Sequence, residues 1–358
     1  MQQSISIPIP PKPTRRRFLI ACGGLAAGGI FAMTRLGRQA SPEYADWQLV
    51  ERSSAALGSR VSITALHQDR SIADRALNAA FDELARIEQV MSLYRSDSQL
   101  CQLNRDGFLS DPDPYLVEIL RDAVSVAGKS DGAFDPTVQP LWSAYANAKQ
   151  NRRLPTEAEV TGALQRVDWR QIQISDRQIR LVKPGMAITL NGIAQGFATD
   201  RAMAVLKAHG IAHALVDAGE IASLGRKASG EAWQIGIQHP REKDAYIGVA
   251  SLQGRCMSTS GDYQTAFTAD LATNHIVDPA TGKSPGDFAS VSVVAPTATQ
   301  ADALSTAIFV LGPDRGLRLA MAERSVDALL VMKDGQTLTT SGFPLADQTT
   351  KEASHVAS

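Results

Sequence analysis

The chain is poor in cysteine, with three in 358 residues, and only 6% of it is aromatic. A scaffold stapled by disulfides is therefore excluded; a chain of this length can build a core without them. Net charge is almost absent, at −1, which argues against nucleic-acid binding driven by a general positive field. No repeat of solenoid type is present. What is present is an ordinary globular balance, 44% hydrophobic and 20% charged, which excludes a disordered or collagen-like chain. The length allows one large domain or two medium ones.

One further absence is local. Residues 1–40 contain no acid, yet hold Lys12, Arg15, Arg16, Arg17, Arg35 and Arg38. Taking these six from 36 basic residues leaves 30 against 37 acids, so the remaining body carries −7. Thr14-Arg15-Arg16-Arg17-Phe18-Leu19-Ile20 opens a soft apolar run to Met33, interrupted by four glycines. The run falls short of the about 20 strongly apolar residues that a spanning helix needs. The paired arginines before Phe-Leu resemble a twin-arginine export signal, so a periplasmic destination is expected. Lipidation at Cys22, cleavage near Ile30-Phe31-Ala32 and an uncleaved anchor in the inner membrane stay open. The expected organisation is a signal segment at 1–40, one domain at 41–348 and a polar, disordered tail at 349–358.

Within the body, Val61 to Leu66 reads as a strand. Leu77, Phe81, Leu84, Ile87 and Met91 then recur at helical spacing. A second helix is expected from Pro114 to Ala127, stopped by Gly128. Lys149 to Glu159 reads as a surface excursion, Ile172 to Leu181 as a hairpin and Met186 to Leu190 as a short strand. A turn at Asn191-Gly192 leads into a helix to Ala208. Strands are expected at 214–217, 233–238, 290–295 and 326–332, and a helix at 301–311 ending at Gly312-Pro313. Helices and strands are mixed without strict βαβ alternation, so the fold class is α+β. Cys101 and Cys256 read as two buried free thiols, although an oxidising compartment would permit their pairing.

Four stretches carry chemistry. Gly132-Ala133-Phe134-Asp135-Pro136-Thr137 predicts an irregular turn exposing backbone N–H groups and one carboxylate. Asn191-Gly192-Ile193-Ala194-Gln195-Gly196-Phe197 joins a strand to a helix; its glycines admit a ligand, and its helix N-terminus offers N–H groups to a phosphate. It lacks the G-x-G-x-x-G spacing of dinucleotide folds. Thr259-Ser260-Gly261-Asp262-Tyr263 and His275-Ile276-Val277-Asp278-Pro279 concentrate hydroxyls, carboxylates and one histidine. On a helix, Asp302 and Thr306 share a face with Ser305 beside them, an oxygen set that suits a hard cation such as Mg²⁺. Each stretch alone is equally readable as packing, capping or a solvated turn.

In this order, and with Met91-Ser92-Leu93-Tyr94, the stretches resemble the ApbE family of FAD:protein FMN transferases from about Leu57 to Val331. The resemblance implies an α+β, T-fold-related arrangement of mixed sheets with packed helices. It implies Mg²⁺-dependent cleavage of the substrate FAD, transfer of FMN to a Thr or Ser hydroxyl of an acceptor flavoprotein, and release of AMP. By the same resemblance, Asp302, Thr306, the Ala194 carbonyl and Ser305 would hold the metal. Leu57, Tyr94, Ala133, Phe134, Asp135, Asn191, Phe197 and Ile276 would contact the flavin nucleotide. His275 would accept the hydroxyl proton, with Asp262 as the alternative. Two departures stand out: Gln195 where the family has Lys, and Asp217-Ala218-Gly219-Glu220-Ile221 where it has Ala-Gly-Gly-Asp-Ile. The first variant, with the export signal, is similar to the NosX-like subgroup, whose acceptor is a membrane protein of the NosR type. An FAD pyrophosphatase and a non-enzymatic flavin carrier are the other readings.

Overall fold

The computed structural model describes residues 41–346. The export segment expected at 1–40 and the tail expected at 349–358 lie outside the described residues. Among those described, no helix is long and apolar enough to cross a membrane.

The frame is one eight-stranded sheet. Its strands are β1 (Gln48–Ala56), β2 (Ser59–His67), β6 (His213–Asp217), β7 (Ile221–Leu224), β10 (Cys256–Gly261), β11 (Phe288–Ala295), β12 (Asp327–Met332) and β13 (Thr337–Thr339), in that spatial order. Every pairing is antiparallel. β3 (Phe108–Ser110), β4 (Ile172–Ile174) and β5 (Gln178–Leu181) form a small second sheet, and β8 (Trp233–Gln238) pairs with β9 (Tyr246–Leu252). β11 is buried at every residue because both of its faces are covered. Val291 and Val293 face the main core, and Val294 faces a second core built on Trp233, Ile235 and Ile237.

Seven α-helices lie among the described residues: α1 (Arg70–Met91), α2 (Gln99–Asp106), α3 (Pro114–Lys129), α4 (Gln139–Gln150), α5 (Glu157–Leu164), α6 (Ala194–Ala208) and α7 (Ala298–Ala322). α1 buries Ala73, Ala76, Leu77, Ala80, Leu84 and Ile87, one apolar stripe facing the core. Asp69 caps it by accepting from the Ser71 N–H at 2.7 Å.

Three expectations are corrected. Met186 to Leu190 is not a strand: the Asn104 side chain takes both the Ile188 N–H (2.6 Å) and its carbonyl (2.8 Å), standing in for a neighbouring strand. The polar excursion at 149–159 contains the end of α4 and the start of α5, where Thr156 and Glu159 form a reciprocal capping box. α7 does not end at Gly312. That residue breaks it with φ 76° and ψ 177°, and a second helical stretch runs on after Pro313, whose fixed φ suits a first helical position. The two described cysteines are free thiols; Cys256 is buried and Cys101 only partly so.

Candidate functional site

The N-terminus of α6 and the first turns of α7 meet at two glycines. Ile193 precedes α6 and gives it no side-chain cap. The cap comes from the other helix: the Gly196 N–H donates to Asp302 Oδ2 at 3.0 Å. A Cβ at Gly196 would strike the Ala298 carbonyl and stand 2.8 Å from the Asp302 Cβ, so glycine is what lets the two helices approach. A Cβ at Gly192 would lie 3.0 Å from Thr306 Oγ1 and 3.3 Å from the Phe134 ring. Three of the four chemical stretches therefore converge on one spot.

β10 supplies the rest. Ser258 and Ser260 lie two residues apart, so both point to one face of the sheet. Ser305 Oγ is 2.8 Å from Ser260 Oγ and 3.2 Å from Ser258 Oγ, and donates to the Asp302 carbonyl at 2.9 Å. Ser260 Oγ also reaches Thr306 Oγ1 at 3.3 Å. The hydroxyls thus form a connected network under the Asp302 carboxylate.

Charge in this network is unbalanced. Burial, above all, raises the Asp302 pKa, with nearby Asp200 adding to it and the Gly196 N–H opposing. Glu220, at the turn between β6 and β7, is 5% exposed. Burial and then the Asp302 charge push its pKa well up, although the Ser258 hydroxyl favours its ionised form. Its Oε2 is buried without a hydrogen-bond partner. Burial also lifts Asp217 to about 6. Among the described residues, none of the ion pairs reaches Asp217, Glu220 or Asp302.

The histidine region differs. Asp262 is completely buried and makes a two-pronged ion pair with Arg241, at 2.7 and 2.8 Å, with Lys333 Nζ 3.8 Å away. Both oxygens are engaged, which suits a structural anchor better than a proton acceptor. His275 is partly buried and its Nδ1 is occluded without a partner. Burial lowers its pKa to about 4, while the Thr265 carbonyl and Asp262 act in the opposite direction. The ring is therefore neutral at ordinary pH and has a basic nitrogen to offer.

The remaining predicted residues are scattered by role. Leu57 sits in the β1–β2 hairpin turn with φ 52°, its N–H donating to Glu88 of α1 at 3.2 Å. Exposed Tyr94 lies just past the end of α1. Exposed Asn191 donates its N–H to Thr189 Oγ1, and buried Ile276 donates to Asn274 Oδ1. One expectation needs correction, and one predicted contact is already packed. The 132–137 turn does not offer its N–H groups outward. Ser130 takes those of Ala133 and Phe134, while Asp135 accepts from Thr137 and from the Trp169 N–H. Asp135 organises its own loop. Phe197 is a core residue, edge-on to Tyr115 at 5.6 Å and covered by the Arg201 guanidinium. An apolar side chain one turn into a helix packed on three others is drawn inward.

Sequence reasoning placed Ser260 and Glu220 within motifs without assigning either to the site, and missed Ser258. The serines alternate, but hydroxyl and glycine residues dilute the apolar pattern that marks a strand. Glu220 stood in the departing 217–221 motif, but its burial depends on the pairing of β6, β7 and β10. Gln195 proves to lie over the Gly219 turn, with its Nε2 2.5 Å from where a Cβ at Gly219 would be.

The molecule is thus an α+β protein with a network of carboxylate and hydroxyl oxygens at the N-terminus of a helix that is capped from a second helix. The profile of the ApbE family matches residues 57–330, and the chain belongs to that family. It is 33% identical over 291 residues to the FAD:protein FMN transferase of Treponema pallidum, covering 75% of this chain and 80% of that one. The FAD:protein FMN transferase of Salmonella typhimurium is 30% identical over 261 residues, covering 69% and 74%. Among solved structures, the ApbE protein from Thermotoga maritima superposes with a TM-score of 0.74 at 30% identity, covering 82% of this chain and 97% of that one. The apo flavinyl transferase ApbE of Pseudomonas stutzeri gives 0.72 at 30% identity, covering 82% and 94%.

Proposed function

We propose that this chain is an FAD:protein FMN transferase that cleaves FAD and leaves FMN on a Thr or Ser of an acceptor protein, releasing AMP. The observation that carries the reading is the convergence of Asp302, Ser305 and Thr306 on the N-terminus of α6. Family membership and relatives bearing that name support it.

The donor set fits a hard divalent cation. Asp302, the Thr306 and Ser305 hydroxyls and the Ala194 carbonyl are oxygen groups of the kind Mg²⁺ prefers, and the buried carboxylates have no cation of their own. Bound there, Mg²⁺ would neutralise the pyrophosphate and the charge that develops on the leaving phosphate. The chain's own parts do the rest. The α6 N-terminus favours an anion, and Gly192 leaves room beside it. The acceptor oxygen bonds to the FMN phosphorus while the bond to the bridging oxygen breaks, and AMP departs with that oxygen. The acceptor's proton passes to the His275 imidazole, which burial keeps neutral and ready.

We place this activity in the periplasm, reached by the twin-arginine route, on the strength of Arg15-Arg16 before Phe18-Leu19. An acceptor of the NosR type, serving nitrous oxide reduction, is supported by the Asn191-Gly192-Ile193-Ala194-Gln195-Gly196 variant. The test mixes the full chain, FAD, Mg²⁺ and such an acceptor domain. AMP release with flavin fluorescence retained on the denatured acceptor supports transfer. Free FMN as sole product would instead reveal a pyrophosphatase, and FAD bound without AMP release a carrier.

A further inference from the structure

The mechanism leaves one buried carboxylate without a task. Glu220 is 5% exposed, and its Oε2 meets no donor. An isolated carboxylate taken out of water costs several kcal/mol unless it is paired or bound to a metal. Its surroundings say which partner is missing. Its strongest charged neighbour is Asp302, followed by Asp217, both of its own sign. Ser258 bonds to it, and Ser258 is in turn 3.2 Å from Ser305, so Glu220 joins the hydroxyl network that ends at Asp302 and Thr306. The loop that carries it is held from outside. Gly219 has φ 97°, and the Gln195 amide fills the space that a side chain there would need, so α6 and the Glu220 turn lock together. Asp302 faces the same helix end through the Gly196 N–H.

We infer that Glu220 is a second anionic oxygen donor for the divalent cation held by Asp302, and that Gln195 positions it by seating the 217–220 turn. The inference rests on the proposed cation site and deepens it. Two carboxylates in place of one bring the site's charge to −2, which raises affinity for a divalent ion before any nucleotide arrives. Glu220 is thus a positioning residue for the metal, not a group that touches the reacting phosphorus.

The test uses the full-length chain without nucleotide and Mn²⁺ as the probe, read by loss of the free-ion electron paramagnetic resonance signal. Glu220→Gln keeps size and shape, and is expected to weaken Mn²⁺ binding at least about ten-fold. The same variant is expected to shrink the rise in melting temperature that Mn²⁺ produces, because the bound ion has lost one donor. Gln195→Ala is expected to weaken binding less. Asp302→Asn serves as the separate control and is expected to abolish binding. If Asp302→Asn binds no Mn²⁺ while Glu220→Gln binds as tightly as the unaltered chain, the role of Glu220 is overturned and the cation site stands. If Asp302→Asn also binds normally, both fall.

Discussion

Two buried carboxylates in this molecule, Asp262 and Asp302, have opposite surroundings. Asp262 is finished: Arg241 grips both of its oxygens and Lys333 stands nearby. Asp302 has one N–H from Gly196, hydroxyl neighbours, and a second uncompensated carboxylate, Glu220, as company. Both are hidden from water, so burial alone does not separate them. What separates them is whether the fold supplies the counter-charge. A buried acid whose partner is built in is architecture; one without a built-in partner, beside a helix N-terminus and several hydroxyls, is where we propose that a cation binds.

Mutation should expose that difference. The largest effect is expected for Asp302→Ala, which removes the anionic oxygen and should cut flavin transfer by a factor on the order of 10² or more, with Mn²⁺ binding lost and the fold retained. Single-turnover transfer and circular dichroism on one preparation decide this. His275→Ala should slow transfer by about 10²-fold while FAD titration by fluorescence quenching stays near the unaltered value. Unchanged turnover would take His275 out of the mechanism. Asp262→Ala inverts the pattern. It strands Arg241 and should cost about 3 kcal/mol in denaturant unfolding, with Mn²⁺ affinity untouched. Weakened metal binding in that variant would merge the two regions into one site.

Smaller effects sharpen the same contrast. His275 has its folded pKa lowered from 6.5 to about 4, so the unfolded chain takes up its proton first as pH falls. Its contribution is intact above pH 6.5 and is lost progressively down to about 4. Urea midpoints across that window should fall less steeply in His275→Gln than in the unaltered chain. Gly192→Ala puts a methyl 3.0 Å from the Thr306 hydroxyl and should cost about 1 kcal/mol while weakening Mn²⁺ binding more than stability.

The legible part of the fold was the part with strong periodicity. α1 declared itself through Leu77, Leu84 and Ile87, and β11 through the alternation of Ser290, Val291, Ser292 and Val293, which suggests a half-buried strand where the structure buries every residue. The segment at 186–190 misled because three buried apolar residues in alternation look like a strand whether the partner is a strand or the Asn104 side chain. For the site, Asp302, Ser305 and Thr306 could be read from helical spacing, since i, i+3 and i+4 are fixed by one helix. Glu220, Ser258 and Ser260 could not, because strand order alone brings them there. Phe197 and Asp135 stand within the motifs, but neighbourhood in sequence does not determine direction. One faces the core, and the other is used up by its own loop.

The central claim, that Asp302 and its neighbours hold the cation on which flavin transfer depends, has one direct measurement. The purified full-length chain, FAD and a NosR-type acceptor domain are titrated with Mg²⁺ after treatment with a chelator, and covalent flavin is read on the denatured acceptor. The account predicts no transfer without Mg²⁺, saturable recovery with it, and no recovery at any Mg²⁺ concentration in Asp302→Ala. Transfer that persists in the chelated protein, or that Asp302→Ala performs at the unaltered rate, would contradict it.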